Sequence, residues 1–185
     1  MGAAPPPVAR PAREPRPHRL VAGGSGLAQH SGEKGGEATG PNPTDRGRPG
    51  TKHHLLVDRN GIPLAALISP ANWHASRLLE PLLDAVQPTK GLWGRPRKRP
   101  EKLHGDKGYD FDRCRHACRK RGITPRIARR GIESSARLGR HRWVVERTLA
   151  WLARFRRLTV RYERLAETHR AFLTLACALI CWTQL

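Results

Sequence analysis

Proline and glycine divide this chain before anything else can be said of its fold. Residues 1 to 50 hold nine of its 16 prolines and most of its 18 glycines, with Pro5-Pro6-Pro7, Gly23-Gly24 and Gly35-Gly36 among them. No apolar periodicity runs through that stretch. A segment of this kind buries too little surface to offset its chain entropy, so it reads as disordered. The core must then come from the residues after 50. The expected organisation is a basic Pro/Gly-rich segment over residues 1–50 and one folded domain over residues 51–185.

Within that domain the pattern alternates between strands and helices. His54 to Asp58 reads as a strand, Arg59-Asn60-Gly61 as a turn, and Ile62 to Ile68 as the hairpin partner. Ser76 to Val86 places Leu78, Leu79, Leu82, Leu83 and Val86 on one helical face. A basic, proline-bearing loop over Gly91 to Lys102 precedes a short strand, Leu103 to Gly105. Asp112 to Arg121 is a helix stopped by Gly122, and Ile123 to Ala128 a further strand. Arg129 to Arg140 reads as a basic loop, followed by helices over Trp143–Phe155 and Ala166–Trp182. The order β-β-α-β-α-β-α-α is an α/β pattern without internal repeats.

Charge narrows the partners. Lys+Arg total 35 against 15 Asp+Glu, a formal charge of +20. Such an excess favours a polyanion, because each phosphate contact releases condensed counterions. A membrane partner is disfavoured, since the apolar run Leu173 to Trp182 is short and interrupted by Thr174. The four cysteines pair at i,i+4 spacing, Cys114/Cys118 and Cys177/Cys181, with no CxxC. Cys177 and Cys181, in an apolar helix, read as small packed hydrophobes, and nothing in the spacing calls for a structural zinc site or disulfides. The N-terminal residues lack the apolar stretch of a secretory signal, so the expected location is a reducing cytoplasm.

Two acids stand out against this basic background. Asp106 follows a strand in His104-Gly105-Asp106-Lys107-Gly108-Tyr109, beside a glycine that allows close backbone approach. It reads either as a metal ligand or as an ordinary turn aspartate. Glu146 lies on a helix one turn after Arg142. That pair is either a surface salt bridge, worth about 0.3–0.5 kcal/mol, or a ligand beside a phosphate-touching arginine. The helix runs on into Trp151-Leu152-Ala153-Arg154-Phe155-Arg156-Arg157. Interleaved aromatics and arginines suit nucleic-acid contact, and equally a solvated basic face. No phosphate-binding glycine loop, serine elbow or Cys/His nucleophile pattern is present.

From about Gly35 to the end the chain resembles bacterial insertion-sequence transposases of the DDE class, in the insertion-sequence-four/five superfamily. The resemblance is carried by Gly35 to Gly47, Lys52-His53-His54-Leu55, Asp58 to Leu64, Asp106-Lys107-Gly108-Tyr109 and the Arg142–Arg147 helix. It implies a ribonuclease-H-like mixed sheet flanked by helices, and two-metal phosphoryl transfer on DNA with Mg²⁺ or Mn²⁺. It assigns the second and third catalytic carboxylates, as metal ligands, to Asp106 and Glu146. Lys107, Arg142, Arg147 and Arg154 become the DNA-facing cations. The implied partners are double-stranded DNA, both transposon ends and target, and a second copy of the chain in a homodimer.

Departures from the family pattern accompany the match. Gly139 stands where a tyrosine is usual, Ala153 where a lysine is usual, and Asn72-Trp73-His74-Ala75 lacks the acid that commonly follows the histidine. Above all, no Asp occurs before Asp45, whereas the first carboxylate belongs on a strand shortly before Gly35-Gly36. Permitted codons for residues 18–28, read one base later, can spell Val-Asp-Ser at that offset, which points to a shifted reading frame. The sheet is then expected to lack its first strand and to expose an edge. The resulting expectation is a transposase catalytic domain impaired for strand cleavage and transfer, or a non-catalytic DNA-binding remnant of one. An RNA-binding basic protein fits less well, because the aromatics cluster on helices.

Overall fold

The computed structural model describes residues 19–30, 35–88, 99–132 and 135–184. Its strands are β1 (Arg19–His30), β2 (Gly40–Pro41), β3 (Pro49–Val57), β4 (Pro63–Pro70), β5 (Lys102–Gly105), β6 (Thr124–Ile127) and β7 (Val160–Arg161). Its helices are α1 (Leu79–Asp84), α2 (Asp112–Lys120), α3 (Ser135–Leu152), α4 (Arg156–Thr159) and α5 (Ala166–Trp182). The sheet path is β2-β3-β1-β5-β6, with β4 paired to β3 and β7 to β1. β3 runs antiparallel to β1 and to β4, while β5 and β6 continue in parallel. This is the mixed, helix-flanked sheet that the resemblance implied.

The largest departure from the sequence reading is at the N-terminal side. Residues 19–30, expected to be disordered, form β1 at the centre of the sheet. β1 pairs with β3 from Val21↔Val57 to Gln29↔Gly50, and with β5 from Arg19↔Lys102 to Ala22↔Gly105. A bulge between Gly24 and Gly26 interrupts it. Residues 35–50, also expected to be disordered, form hydrogen-bonded turns that lead into β3. Gly36 there abuts the Arg164 carbonyl so closely that a Cβ would lie 2.6 Å from the oxygen. The first strand of the sheet is therefore in place. Glycine weakens a strand locally, and here pairing on both edges stabilises what the side-chain pattern does not announce.

Alternation along β3 builds two cores. Leu56 joins Leu79, Leu82, Leu83, Leu103, Tyr109, Cys114, Cys118 and Ile127 beneath α1 and α2. Leu55 and Val57 join Val144, Val145, Leu152, Leu158, Leu173, Ala176 and Ile180 beneath α3 and α5. The elements read from periodicity are recovered. α5 buries His169, Leu173, Ala176 and Ile180, one face at helical spacing. α2 ends in a Schellman turn: the Gly122 amide donates to the Arg119 carbonyl and the Ile123 amide to the Cys118 carbonyl. Gly122, at φ +68°, adopts the left-handed conformation that this stop requires. The stretch Ser76–Val86 is shorter in helix than its pattern suggests, a 3-10 turn (Ala75–Arg77) and then α1. Conversely, α3 begins at Ser135, inside the stretch read as a basic loop. The four cysteines are free thiols, and burial pushes the Cys118 thiol up to about 11 and the Cys177 thiol up to about 12. They behave as packing groups.

A polar layer ties α5 to β3. His53 and His169 are buried with their Nε2 atoms 2.9 Å apart, and Arg161, fully buried, donates to Thr51 Oγ1 at 2.6 Å. His54, also buried, bonds Ser69 Oγ at 2.8 Å. Burial, then the neighbouring His169, His54 and Arg161 charges, lower the His53 pKa to about 3. Burial and Lys52 lower that of His54 to about 4. Both imidazoles are thus neutral when folded, while the unfolded chain takes up protons near pH 6.5. The unfolded state binds more protons as pH falls below that value, so stability is full above it and declines towards pH 4. Urea midpoints measured between pH 7.5 and 4.5 are expected to fall steadily, and a flat profile would contradict this assignment.

Candidate active site

Asp106 comes directly off the end of β5 and caps the 3-10 turn Lys107–Tyr109. Its Oδ1 accepts the Gly108 amide at 2.8 Å. The turn-aspartate reading is therefore correct as local structure, and it also holds the half-buried carboxylate in one place at the strand end. Asp110, four residues on, is committed elsewhere. It accepts from Arg115 and from the Arg130 amide, and those bonds, that of Arg115 foremost, hold its carboxyl below the usual range.

Glu146 is exposed on α3. That helix packs across β1, β3 and β5, so it lies over the part of the sheet that carries Asp106. The β3–β4 turn locates it. Asp58 Oδ1 accepts the amides of Asn60 at 2.8 Å and Ile62 at 2.9 Å, and Gly61 takes φ +82°. The Gly61 carbonyl then accepts from Thr148 Oγ1 at 2.6 Å, and the Asn60 carbonyl from Arg147. Sequence-distant Asp58-Arg59-Asn60-Gly61 thus clips the helix turn that bears Glu146.

The predicted cations separate. Lys107 sits in the turn beside Asp106, and Arg154 is exposed just past the end of α3. The side chain of Arg142 lies outside the described residues. Arg147 is engaged internally: its guanidinium carbon lies 4.6 Å from the Trp143 ring centroid and 4.8 Å from that of Trp151, besides the bond to Asn60. A DNA-contact role for Arg147 therefore competes with a structural one. Arg147→Ala is expected to destabilise the fold by about 1–2 kcal/mol, from two ring contacts and one charge-assisted hydrogen bond. A shift in the urea midpoint, unrelieved by Arg147→Lys, is the check. An unshifted midpoint would return Arg147 to the DNA-facing set.

The sequence reading missed a second group on the other side of Asp106. His74 Nδ1 lies 2.8 Å from Ser76 Oγ, which also accepts from Arg113. The guanidinium carbons of Arg113 and Arg130 lie 5.1 and 5.0 Å from the Phe111 ring centroid, and His74 meets the same ring edge-on at 5.0 Å. Arg130 Nε donates to the Lys107 carbonyl, and Lys52 Nζ to the Trp73 carbonyl at 3.0 Å. Only the departure at Asn72-Trp73-His74-Ala75 hinted at this cluster, because its members come from four separate stretches of chain.

Among the described residues no group of three His, Cys, Asp or Glu side chains could hold a metal ion. β1 supplies no acid: none of Arg19–His30 is Asp or Glu, and this strand pairs in parallel with β5, whose last residue, Gly105, directly precedes Asp106.

Residues 22–181 match the family model described as "Transposase DDE domain". The chain is 51% identical over 178 residues to the transposase assigned to insertion sequence element IS402 of Burkholderia cepacia, covering 96% of this chain and 84% of that protein. It is also similar to the catalytic core domain of BIV integrase, at 17% identity and a TM-score of 0.46, over 86% of this chain and 80% of that one. Among the described residues no helix is long and apolar enough to cross a membrane.

Proposed function

Since the chain belongs to the DDE-domain family of transposases, we propose that it grips double-stranded DNA at insertion-sequence ends and, as it stands, cleaves and transfers strands weakly or not at all. The observation that carries this reading is the contrast inside one site. Asp106 and the Glu146 helix are held by specific hydrogen bonds, while β1, paired with the strand that leads into Asp106, carries no carboxylate. The family generally employs divalent metal ions, and three carboxylates hold two of them about 3.5–4 Å apart in such sites. Among the described residues that set is not completed, so no catalytic step is assigned to them through a metal. The formal charge of +20 supports DNA binding independently of catalysis. We assign Lys107, Arg142 and Arg154 to the DNA-facing surface, with a homodimer as the assembly.

The test is binding and cleavage measured together on duplexes from the ends of the encoding element. Affinity is expected to fall steeply with salt and to be the same in Mg²⁺ and in EDTA, with cleavage near background. Efficient Mg²⁺-dependent cleavage by the unaltered chain would overturn the impairment. Salt-insensitive or absent binding, or a preference for RNA, would overturn the DNA reading. The gene sequence across codons 15 to 40 then decides the origin of the missing acid. A Val-Asp-Ser reading one base out of frame makes it a shifted frame, and the lack of one makes this a DNA-binding remnant.

A further inference from the structure

We propose that Lys52, Arg113 and Arg130, gathered around His74 and Phe111, form a preorganised seat for a DNA phosphate on the flank of Asp106. The inference rests on the DNA-binding reading above and adds the residues and the part of the DNA that they would hold. Its first support is charge accounting. Some arginines are neutralised by carboxylates, Arg115 by Asp110, Arg121 by Glu80 and Asp84, and Arg157 by Glu163. Among the described residues Lys52, Arg113 and Arg130 make no ion pair, although they converge on one place. Assembling unpaired like charges is unfavourable unless an anion completes the site.

The second support is how they are held. Each cation is held by a neutral partner, Arg113 by Ser76 Oγ, Arg130 by the Lys107 carbonyl and Lys52 by the Trp73 carbonyl, with Asp110 beside Arg130 as a nearby carboxylate that already bonds Arg115. Phe111 supports both guanidinium groups. Arginine held in this way loses little further freedom on meeting a phosphate. His74 reports the resulting field. Burial first, then Arg130, Lys52 and Arg113, lower its pKa, and Asp106 pulls only weakly the other way. Through the bond to the Lys107 carbonyl, Arg130 connects this seat to the residue next to Asp106, which would set a phosphate at a fixed distance from the acid.

Two measurements on the full chain test the seat. Arg113→Ala/Arg130→Ala is expected to weaken duplex binding by about 10–100-fold and to reduce the slope of log K against log salt by about 2. The control Arg119→Ala/Lys120→Ala, which removes equal charge from the far end of α2, is expected to change affinity far less. In the unaltered chain, adding duplex is expected to raise the pKa of His74, followed by histidine NMR, as the phosphate neutralises the cations around it. Inorganic phosphate at matched ionic strength is expected to move it much less. Steep salt-dependent binding by the unaltered chain, with an unmoved His74 and an Arg113/Arg130 variant no worse than the control, overturns the seat and leaves the DNA reading intact. An equal response to inorganic phosphate overturns its assignment to DNA. No DNA binding by the unaltered chain overturns both.

Discussion

Restoring an aspartate to the first strand, in a gene repaired to read Val-Asp-Ser, is expected to bring Mg²⁺-dependent strand cleavage up from background. In that repaired protein, Asp106→Ala or Glu146→Ala is expected to lower cleavage by about 10³-fold. Metal-assisted chemistry supplies several kcal/mol of transition-state stabilisation, and about 1.36 kcal/mol corresponds to a tenfold change in rate. DNA affinity should barely change in either variant, since a carboxylate near phosphates contributes nothing to counterion release. The two effects separate the acids from the basic surface: a loss confined to rate identifies Asp106 and Glu146 as reacting-centre residues. Undiminished cleavage in either variant would remove that residue from the site. The same substitutions in the unaltered chain are expected to be silent, because there the set is already incomplete.

Leu103→Ala carries the largest expected effect on stability, about 2–5 kcal/mol. Leu103 is fully buried in the middle of β5, between β1 and β6 and under α1 and α2. Its truncation leaves a cavity in a layer made of strands on one side and short helices on the other, where neither collapses easily. Leu103→Ile, which keeps the volume, is expected to cost less than about 1.5 kcal/mol. Urea unfolding of the two variants makes the comparison. A loss below about 1 kcal/mol for Leu103→Ala would mean that β5 is less tightly packed than the structure has it. Because Asp106 lies three residues beyond Leu103, the alanine variant should also loosen the turn that holds the carboxylate. Faster amide exchange at Gly108, whose amide bonds Asp106 Oδ1, would report it.

The helices and the β3–β4 hairpin were legible because their information is local. Leu173, Ala176 and Ile180 recur at helical spacing in α5, Gly122 supplies the positive φ that stops α2, and Asp58 to Gly61 carries its own turn chemistry. Asp106 was legible for the same reason: a strand end, an acid and a following glycine are neighbours in sequence. Family, charge and the shortage of acids are likewise properties of the residue list.

What the tertiary structure decided are the features whose partners lie far away along the chain. β1 reads as a glycine-rich linker, and it is a strand because β3 and β5 offer backbone partners on both edges. Arg147 reads as one more surface cation, and it is packed because Trp143, Trp151 and the distant Asn60 carbonyl surround it. Lys52, His74, Arg113 and Arg130 share no spacing that a sequence pattern could register. Only the tertiary structure, by bringing together β3, the loop after β4, the start of α2 and the turn after β6, makes them neighbours. Periodicity encodes which face of an element is apolar. It does not encode which charges from separate elements will meet, because that depends on strand order and register.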